Sequence, residues 1–170
     1  MIHSDNPFRP DPGDRDPTRR FRGRLAAGVT IVTAGSGSQQ TGLTVSSLLV
    51  VEGNPALAYV LVGPTTDLWT VAAESGRFIV HVCSYQHHRL ADVFAGLSPS
   101  PGGLFATAEF SRSDWGPALA ELPDRLYCSF ESRDEIGWSG LVVGRIDQVE
   151  VTDLIDPLIH FRSGYHRLLD

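Results

Sequence analysis

The side chains best suited to hold a polar ligand are hydroxyls at the start of a hydrophobic segment. In the run TVSS, Thr44, Ser46 and Ser47 surround Val45 directly ahead of the apolar residues LLVV. Hydroxyl groups and backbone amides at a strand edge can hydrogen-bond the polar rim of a flat ring without adding charge. Thr and Ser also occur at ordinary strand edges and turns, so a ligand-binding edge and a purely structural edge both remain open.

A second candidate site lies where a helix is predicted to begin, at the sequence GPTTD. The free N–H groups and the positive dipole end of a helix start attract a phosphate, and the hydroxyls of Thr65 and Thr66 add further donors. The same two threonines can simply cap the helix. The two roles are compatible, so the sequence predicts a helix start that can also seat a phosphate.

Histidine and cysteine do not form a recognisable metal or nucleophile motif. His81 and Cys83 alternate along a predicted strand, and the adjacent His87 and His88 follow. Neighbouring side chains on a helix point about 100° apart, and neither CxxC nor HExxH spacing occurs. The sequence also contains no GxSxG elbow, P-loop or GxGxxG. We therefore expect no metal site and no acyl-transfer hydrolysis.

Charge and hydropathy argue against nucleic acid and membrane as ligands. The formal net charge is -6, whereas binding to a phosphate backbone depends on an excess of Lys and Arg. No apolar run approaches the ~18 residues of a membrane span, and the N-terminus lacks the pattern of a signal peptide. The two cysteines, Cys83 and Cys128, are expected to be buried free thiols, which favours a cytoplasmic protein.

The pattern of elements predicts one domain behind a short arm. Residues 1–14 are rich in Pro and Asp and are expected to form a flexible N-terminal arm, with a single domain over 15–170. Asp16 and Pro17 mark the start of a helix that should end at Gly28. Residues 29–35 and 41–53 predict a hairpin, because both runs are rich in β-branched residues and a polar, glycine-containing segment separates them.

The rest of the chain is predicted to consist of strands with short helices inserted. The expected elements are a strand at 54–62 buried on both faces, a helix from Thr65 or Thr66 to Gly76, a strand at 77–85, a short helix at 87–96, an irregular loop at 97–123, and strands at 125–133, 140–153 and 157–168, the last folded at Ser163-Gly164. Six or more strands without regular βαβ alternation predict a mainly β fold with short helices, closed into an antiparallel barrel.

Taken in order, these segments resemble the flavin reductase-like family, FMN-binding split β-barrel proteins that include small components of two-component monooxygenases. The matching residues are GVTIVTAG, GLTVSSLLVV, SGRFIVHVCSYQHHRLADVFAG, the Gly144 of LVVGRIDQVE, and PLIHFRSGYHRL. Their order and spacing, more than any single piece, carry the resemblance, which covers roughly residues 21–168.

The resemblance implies where a flavin, FMN or FAD, would lie. The TVSS-type strand of the family runs along the isoalloxazine ring, which points here to Thr44, Val45, Ser46 and Ser47. The turn after the third strand of the barrel holds the phosphate in the family, which points to Thr65 and Thr66.

Further site residues implied by the resemblance lie in the second half of the chain. His81 stands where the family often has an Asn near the cofactor. Tyr165 and His166 fall near the ring or the nicotinamide, with His166 as the candidate for contacting substrate. Many active reductases of the family also carry Gly-Asp-His ahead of the strand that ends in Val-Gly, and its His reaches toward the nicotinamide. In this sequence Ser139 stands at that His position.

The function implied by the resemblance is NADH- or NADPH-dependent reduction of FMN or FAD, with hydride passing from nicotinamide C4 to flavin N5. It also implies a homodimer and a monooxygenase partner that receives reduced flavin. Trp138 or the loop at 97–123 is expected to cover the opposite face of the ring. Two alternatives remain: a flavin-binding carrier, sensor or partner-docked subunit without turnover, favoured by Ser139, and a haem protein with His81 or His160 as axial ligand.

Overall fold

The computed structural model describes residues 16–154 and 156–168, so the expected arm at 1–14 lies outside the described residues. The first helix begins as predicted, because the Asp16 carboxylate accepts the N–H of Thr18 at 2.9 Å and Pro17 is the first helical residue. It ends at Gly23 instead of Gly28, and it buries no residue. Gly28 is wrong as the helix end because it belongs to a strand, where it pairs with Ile159.

The described residues contain twelve strands and three α-helices. The helices are α1 Pro17–Arg22, α2 Asp67–Ser75 and α3 His88–Phe94. The strands are β1 Ala27–Gly28, β2 Thr30–Ala34, β3 Thr41–Val45, β4 Leu48–Val51, β5 Leu57–Val62, β6 Arg77–Val82, β7 Phe110–Ser113, β8 Gly116–Leu119, β9 Arg125–Ile136, β10 Ser139–Glu150, β11 Ile159–Phe161 and β12 Gly164–His166. In the described chain, no helix is long and apolar enough to cross a bilayer.

A seven-stranded antiparallel sheet forms the body of the protein, in the order β3-β2-β6-β9-β10-β5-β4. Its two edge strands, β3 and β4, are consecutive in the chain and are connected by Ser46 and Ser47. The predicted single strand over 41–53 is therefore wrong, because the chain leaves one partner strand and joins another at these serines. The sheet curls into a half-barrel whose two edge strands are joined by this connection, which confirms a split β-barrel within a mainly β fold.

Of the three hydrophobic clusters in the described part of the chain, two pack helices against the sheet. One lies between the sheet and α2 and includes Val32, Val60, Ala72 and Phe78. The other lies under α3 and the segment that follows it. The prediction that β5 is buried on both faces is wrong, because burial alternates along this strand and Leu61 is 40% exposed.

The segment 97–123 is more ordered than the sequence indicated. It contains the β7–β8 hairpin, and the ring of Phe105 lies 5.4 Å from Phe94 and 5.1 Å from Phe110 between ring centroids. Leu119 and Leu122 are buried in the second cluster. Two four-residue strands are too short to produce a detectable alternation, which explains why a loop was predicted.

The closing strands pack as a hairpin against β1. The turn residues are Arg162 and Ser163, with φ angles of 49° and 67°. The predicted fold point at Ser163-Gly164 is therefore one residue late, because Gly164 already pairs with Phe161.

Candidate functional site

A cavity of about 230 Å³ lies between the end of β3, helix α3 and the β11–β12 hairpin. Its lining residues are Val29, Thr44, Ser46, Asp92, Ala95, Leu97, His160, Ser163, Gly164 and Tyr165. The volume is below the range of about 300–1,000 Å³ typical of ligand sites. A cavity of this size suits one ring system, and the remainder of a larger ligand would have to lie outside it.

Two of the predicted hydroxyl residues, Thr44 and Ser46, reach this cavity. The Thr44 hydroxyl donates a hydrogen bond to the Ala91 carbonyl oxygen at 2.7 Å, which ties β3 to α3. Because the Thr44 hydroxyl already donates its proton to Ala91, it can act only as a hydrogen-bond acceptor toward a ligand. The Ser46 hydroxyl has no hydrogen-bond partner among the described residues, which leaves it free to donate or accept.

Val45 and Ser47 are placed differently from their neighbours. The Val45 side chain is 4% exposed and belongs to the first core cluster, so it does not line the cavity. Ser47 is exposed, and its carbonyl oxygen accepts the N–H of Leu61 at 3.0 Å. Ser47 therefore links the cavity side of the barrel to the end of β5, where the chain turns into α2.

Thr66 occupies the predicted N-cap position of α2, but it makes no capping hydrogen bond. Its hydroxyl donates instead to the carbonyl oxygen of Gly63 at 2.7 Å, while Thr65 is exposed beside it. The first-turn N–H groups of this nine-residue helix consequently have no side-chain acceptor. An uncapped helix start fits a phosphate, although the carboxylate of Asp67 in the same turn opposes an anion. Helix α2 ends at Gly76 as predicted, with the left-handed φ of 71°.

His81 is a core residue, and its predicted contact with a cofactor is wrong. The ring is fully buried, Nε2 accepts the N–H of Leu119 at 3.1 Å, and Nδ1 lies 3.0 Å from the Ile31 carbonyl oxygen. Burial lowers its pKa to about 3, so the ring stays neutral. Both nitrogens are occupied by backbone groups, which leaves His81 no free atom for a flavin and excludes it as a haem ligand.

The closing hairpin brings Tyr165, but not His166, to the cavity. Successive side chains of a strand face opposite sides, so these two neighbours cannot both line it. Burial raises the pKa of Tyr165 to about 12, with the Asp92 carboxylate as the next cause. The ring of His160 lies 6.4 Å from that of Tyr165. His166 is exposed and lies beside the ring of Phe161, at 5.9 Å between centroids.

Ser139 lies at the start of β10, away from the cavity lining. It pairs with Ile136 across a tight turn, and the next residue, Gly140, pairs with Val62 at the end of β5. Ser139 thus lies beside the end of β5, the strand that leads into α2, and it is not among the residues that line the cavity. Trp138, in the turn, is 95% exposed and does not line the cavity. Of the two segments predicted to cover the ring, the loop at 97–123 contributes Leu97 to the cavity lining, whereas Trp138 does not belong to it.

Asp92 on α3 and Ala95, the C-cap residue of that helix, line the cavity but were not predicted from the sequence. Their spacing of three places them on one face of a helix, a signal that was available in the sequence. The sequence also offered no reason to place Ser163 and Gly164 in the cavity lining, because the closing hairpin packs against the barrel through contacts between residues far apart in the chain. No group of three or more metal-ligating side chains occurs within 16–154 and 156–168.

A curled sheet whose two edge strands are joined through Ser46 and Ser47, with a cavity beside this connection, defines a split-barrel protein. The chain belongs to the flavin reductase like domain family, whose model matches residues 22–169.

Characterised relatives resemble the chain over most of its length. It is 33% identical to the NADH-dependent FMN reductase AsuE2 of Streptomyces nodosus subsp. asukaensis, over 94% of this chain and 88% of the relative. It is 26% identical to the 4-hydroxyphenylacetate 3-monooxygenase reductase component of Pseudomonas aeruginosa, over 88% of this chain and 89% of the relative.

A solved structure shares the fold. The NADH:FAD oxidoreductase SgcE6 of Streptomyces globisporus, in complex with NAD and FAD fragments, matches with a TM-score of 0.81 and 25% identity. The match covers 94% of this chain and 95% of that protein.

Proposed function

We propose that the protein is an NADH-dependent flavin reductase. The proposal is carried by two features of one member of the flavin reductase like domain family, a ring-sized cavity at Thr44 and Ser46 and an uncapped start of α2. Between them, the Ser47 carbonyl oxygen accepts the N–H of Leu61 at the end of β5, the strand that leads into α2. A flavin mononucleotide needs one site for its ring and another for its phosphate, and these two features match those needs. The relatives named as NADH-dependent reductases support the choice of NADH as the donor.

In this arrangement the isoalloxazine ring lies in the cavity and the phosphate lies at the first turn of α2. The Ser46 hydroxyl is free to bond the polar rim of the ring, and Thr44 offers an acceptor. Thr65 and the N–H groups that follow it would hold the phosphate, with Thr66 shaping the turn through its bond to Gly63.

A bound flavin supplies the redox chemistry, because it accepts hydride at N5 from nicotinamide C4 without acid-base help from the protein. The residues of the chain bind, orient and exclude water. Tyr165 keeps its phenol proton at neutral pH because burial raises its pKa to about 12, so it remains a hydrogen-bond donor in the cavity wall. Ser139 lies outside that wall, so the absence of the family His leaves the proposed ring site intact.

The proposal predicts turnover of NADH when FMN or FAD is added to the purified protein. We expect a rate of about 1–1,000 per second, the usual range of enzymes, with slower oxidation of NADPH. Replacing Ser46 with Ala should weaken flavin binding, whereas Ser98→Ala, outside the cavity lining, should not. Tight flavin binding without turnover would instead support a carrier, sensor or partner-docked subunit, the role that Ser139 favours.

We further propose that the reduced flavin serves a partner monooxygenase, as the names of the relatives suggest. Both free thiols, Cys83 and Cys128, are buried, so we include a cytoplasmic location in the proposal. Adding a flavin-dependent monooxygenase behind a dialysis membrane would test whether the released flavin is sufficient. Oxidation of its substrate only on direct mixing would show that contact between the proteins is required.

A homodimer is the proposed assembly, because the edge strand β4 is apolar on both faces. Leu49 is 62% exposed, and Val50, Val51 and the neighbouring Leu61 are exposed as well. A contiguous apolar surface on a sheet edge is typical of a protein interface. Light scattering should give twice the chain mass, and Leu49→Glu should shift the protein toward a monomer. A monomeric wild type would contradict this part of the proposal.

A further inference from the structure

Asp92 places a carboxylate in the cavity wall, and the proposed function so far gives it no role. It lies on α3 and is half-buried, facing the same space as Tyr165 and Ser46. Its side chain makes no hydrogen bond or ion pair with any residue in the described parts of the chain. A carboxylate that lines a ligand cavity and has no protein partner there is a candidate for a role in binding.

No opposite charge accompanies this carboxylate. The cavity lining contains hydroxyl, apolar and glycine residues, and no Lys or Arg among the described residues. The other titratable groups facing the cavity are His160 and Tyr165. Burial raises the pKa of the Tyr165 phenol to about 12, with the Asp92 charge acting in the same direction, so the phenol carries no charge at neutral pH. Because Asp92 and Tyr165 line the same cavity, the carboxylate faces the space that a ligand would enter.

We propose that Asp92 makes the cavity bind oxidised flavin more tightly than reduced flavin, so that the reduced product is released to its acceptor. This inference rests on the proposed function, in which the flavin ring occupies the cavity. The oxidised ring is neutral, whereas the two-electron-reduced ring becomes an anion near neutral pH by losing the N1 proton. The carboxylate repels that anion, and the repulsion is stronger in a partly buried site than in water.

Replacing Asp92 with Asn removes the charge and little else. The side chain keeps its size and has no protein partner to lose. The backbone carbonyl oxygen of Asp92 accepts the N–H of Leu97 at 2.9 Å and of Ser98 at 3.3 Å, and both bonds are independent of the side chain. The variant should therefore fold with unchanged thermal stability, so its flavin affinity can be compared directly with that of wild type.

The test measures the dissociation constants of oxidised and dithionite-reduced FMN under anaerobic conditions, for wild type, Asp92→Asn and Asp153→Asn. We expect Asp92→Asn to improve binding of reduced FMN about tenfold relative to oxidised FMN. The two-electron potential of bound FMN should then rise by about 30 mV. Asp153 is exposed and outside the cavity, so its variant should match wild type.

Three results would overturn the inference. An equal change for both redox states, or no change, would show that the Asp92 charge does not distinguish them. A change confined to the KM for NADH would assign Asp92 to the nicotinamide. If wild type binds neither form of FMN, the proposed function fails first and the inference fails with it. The wild-type titration therefore separates failure of the site from failure of the Asp92 role alone.

Discussion

The buried imidazole of His81 should make the stability of the protein depend on pH in a defined way. Leu119 donates its N–H to Nε2, so the proton of the neutral ring is on Nδ1 and is donated to the Ile31 carbonyl oxygen. Burial lowers the pKa of this ring in the folded state to about 3. In the unfolded chain the ring regains the ordinary His pKa of about 6.5.

The sign follows from which state binds the proton. Below about pH 6.5, His81 binds a proton in the unfolded chain but stays neutral in the folded protein. The free energy of unfolding therefore falls as the pH decreases toward about 3. The contribution of His81 is fully present above about pH 6.5. A pH of about 5 is roughly 1.5 units below the ordinary pKa of His, so the free energy of unfolding falls by about 2 kcal/mol.

Urea unfolding at about pH 8, 6 and 5 measures this loss in wild type, His81→Gln and the exposed control His166→Gln. His81→Gln should cost about 1–3 kcal/mol at about pH 8, because a buried backbone group loses its partner. It should then lose about 2 kcal/mol less than wild type by about pH 5. Burial also lowers the pKa of His87, but that contribution is common to all three proteins. Equal pH slopes for wild type and His81→Gln would refute the assigned geometry.

Three further predictions, made with four substitutions, concern the core, the phosphate site and the β9–β10 turn. Gly144→Val should destabilise the protein by about 1–3 kcal/mol in thermal or urea unfolding, because the new Cβ would collide with the ring of Phe78. Gly28→Ala is the control and should be nearly neutral, because a Cβ added there meets no atom within 4 Å. Equal effects would show that the Phe78 contact is misplaced. Asp67→Asn should increase the affinity for FMN about two- to five-fold in fluorescence titrations, because it removes a negative charge from the proposed phosphate site at the start of α2. The affinity for riboflavin, which has no phosphate, should not change. Improved binding of both ligands would contradict that phosphate site. Trp138→Ala should leave flavin affinity unchanged, and a tenfold loss would place the β9–β10 turn in the site.

Local signals made much of the fold predictable. Helix α2 was predicted because the polar turn before it and Gly76 after it act within a few residues of the helix. The β2–β3 hairpin was predicted for the same reason, since two β-branched runs are separated by a short polar segment. The end of α1 was wrong because the strand at Gly28 depends on a partner more than a hundred residues away in the chain.

The site was less predictable than the fold. Thr44 and Ser46 were found from their hydroxyls, but the division of the TVSS run between cavity and core depends on how the barrel closes. His81 looked like a ligand contact from its position in the chain, and only the placement of Leu119 beside it reveals a structural role. Asp92 was missed because a lone acidic residue on a short helix gives no sequence signal until the opposite wall is known.

The central claim is that one flavin places its ring between Ser46 and Tyr165 and its phosphate at the start of α2. A crystal structure of the protein with FMN tests this claim most directly. We expect electron density for the isoalloxazine ring in the cavity at the end of β3, and electron density for the phosphate at the N–H groups that follow Thr66. Ordered FMN bound elsewhere, with this cavity and the α2 start both empty, would contradict it.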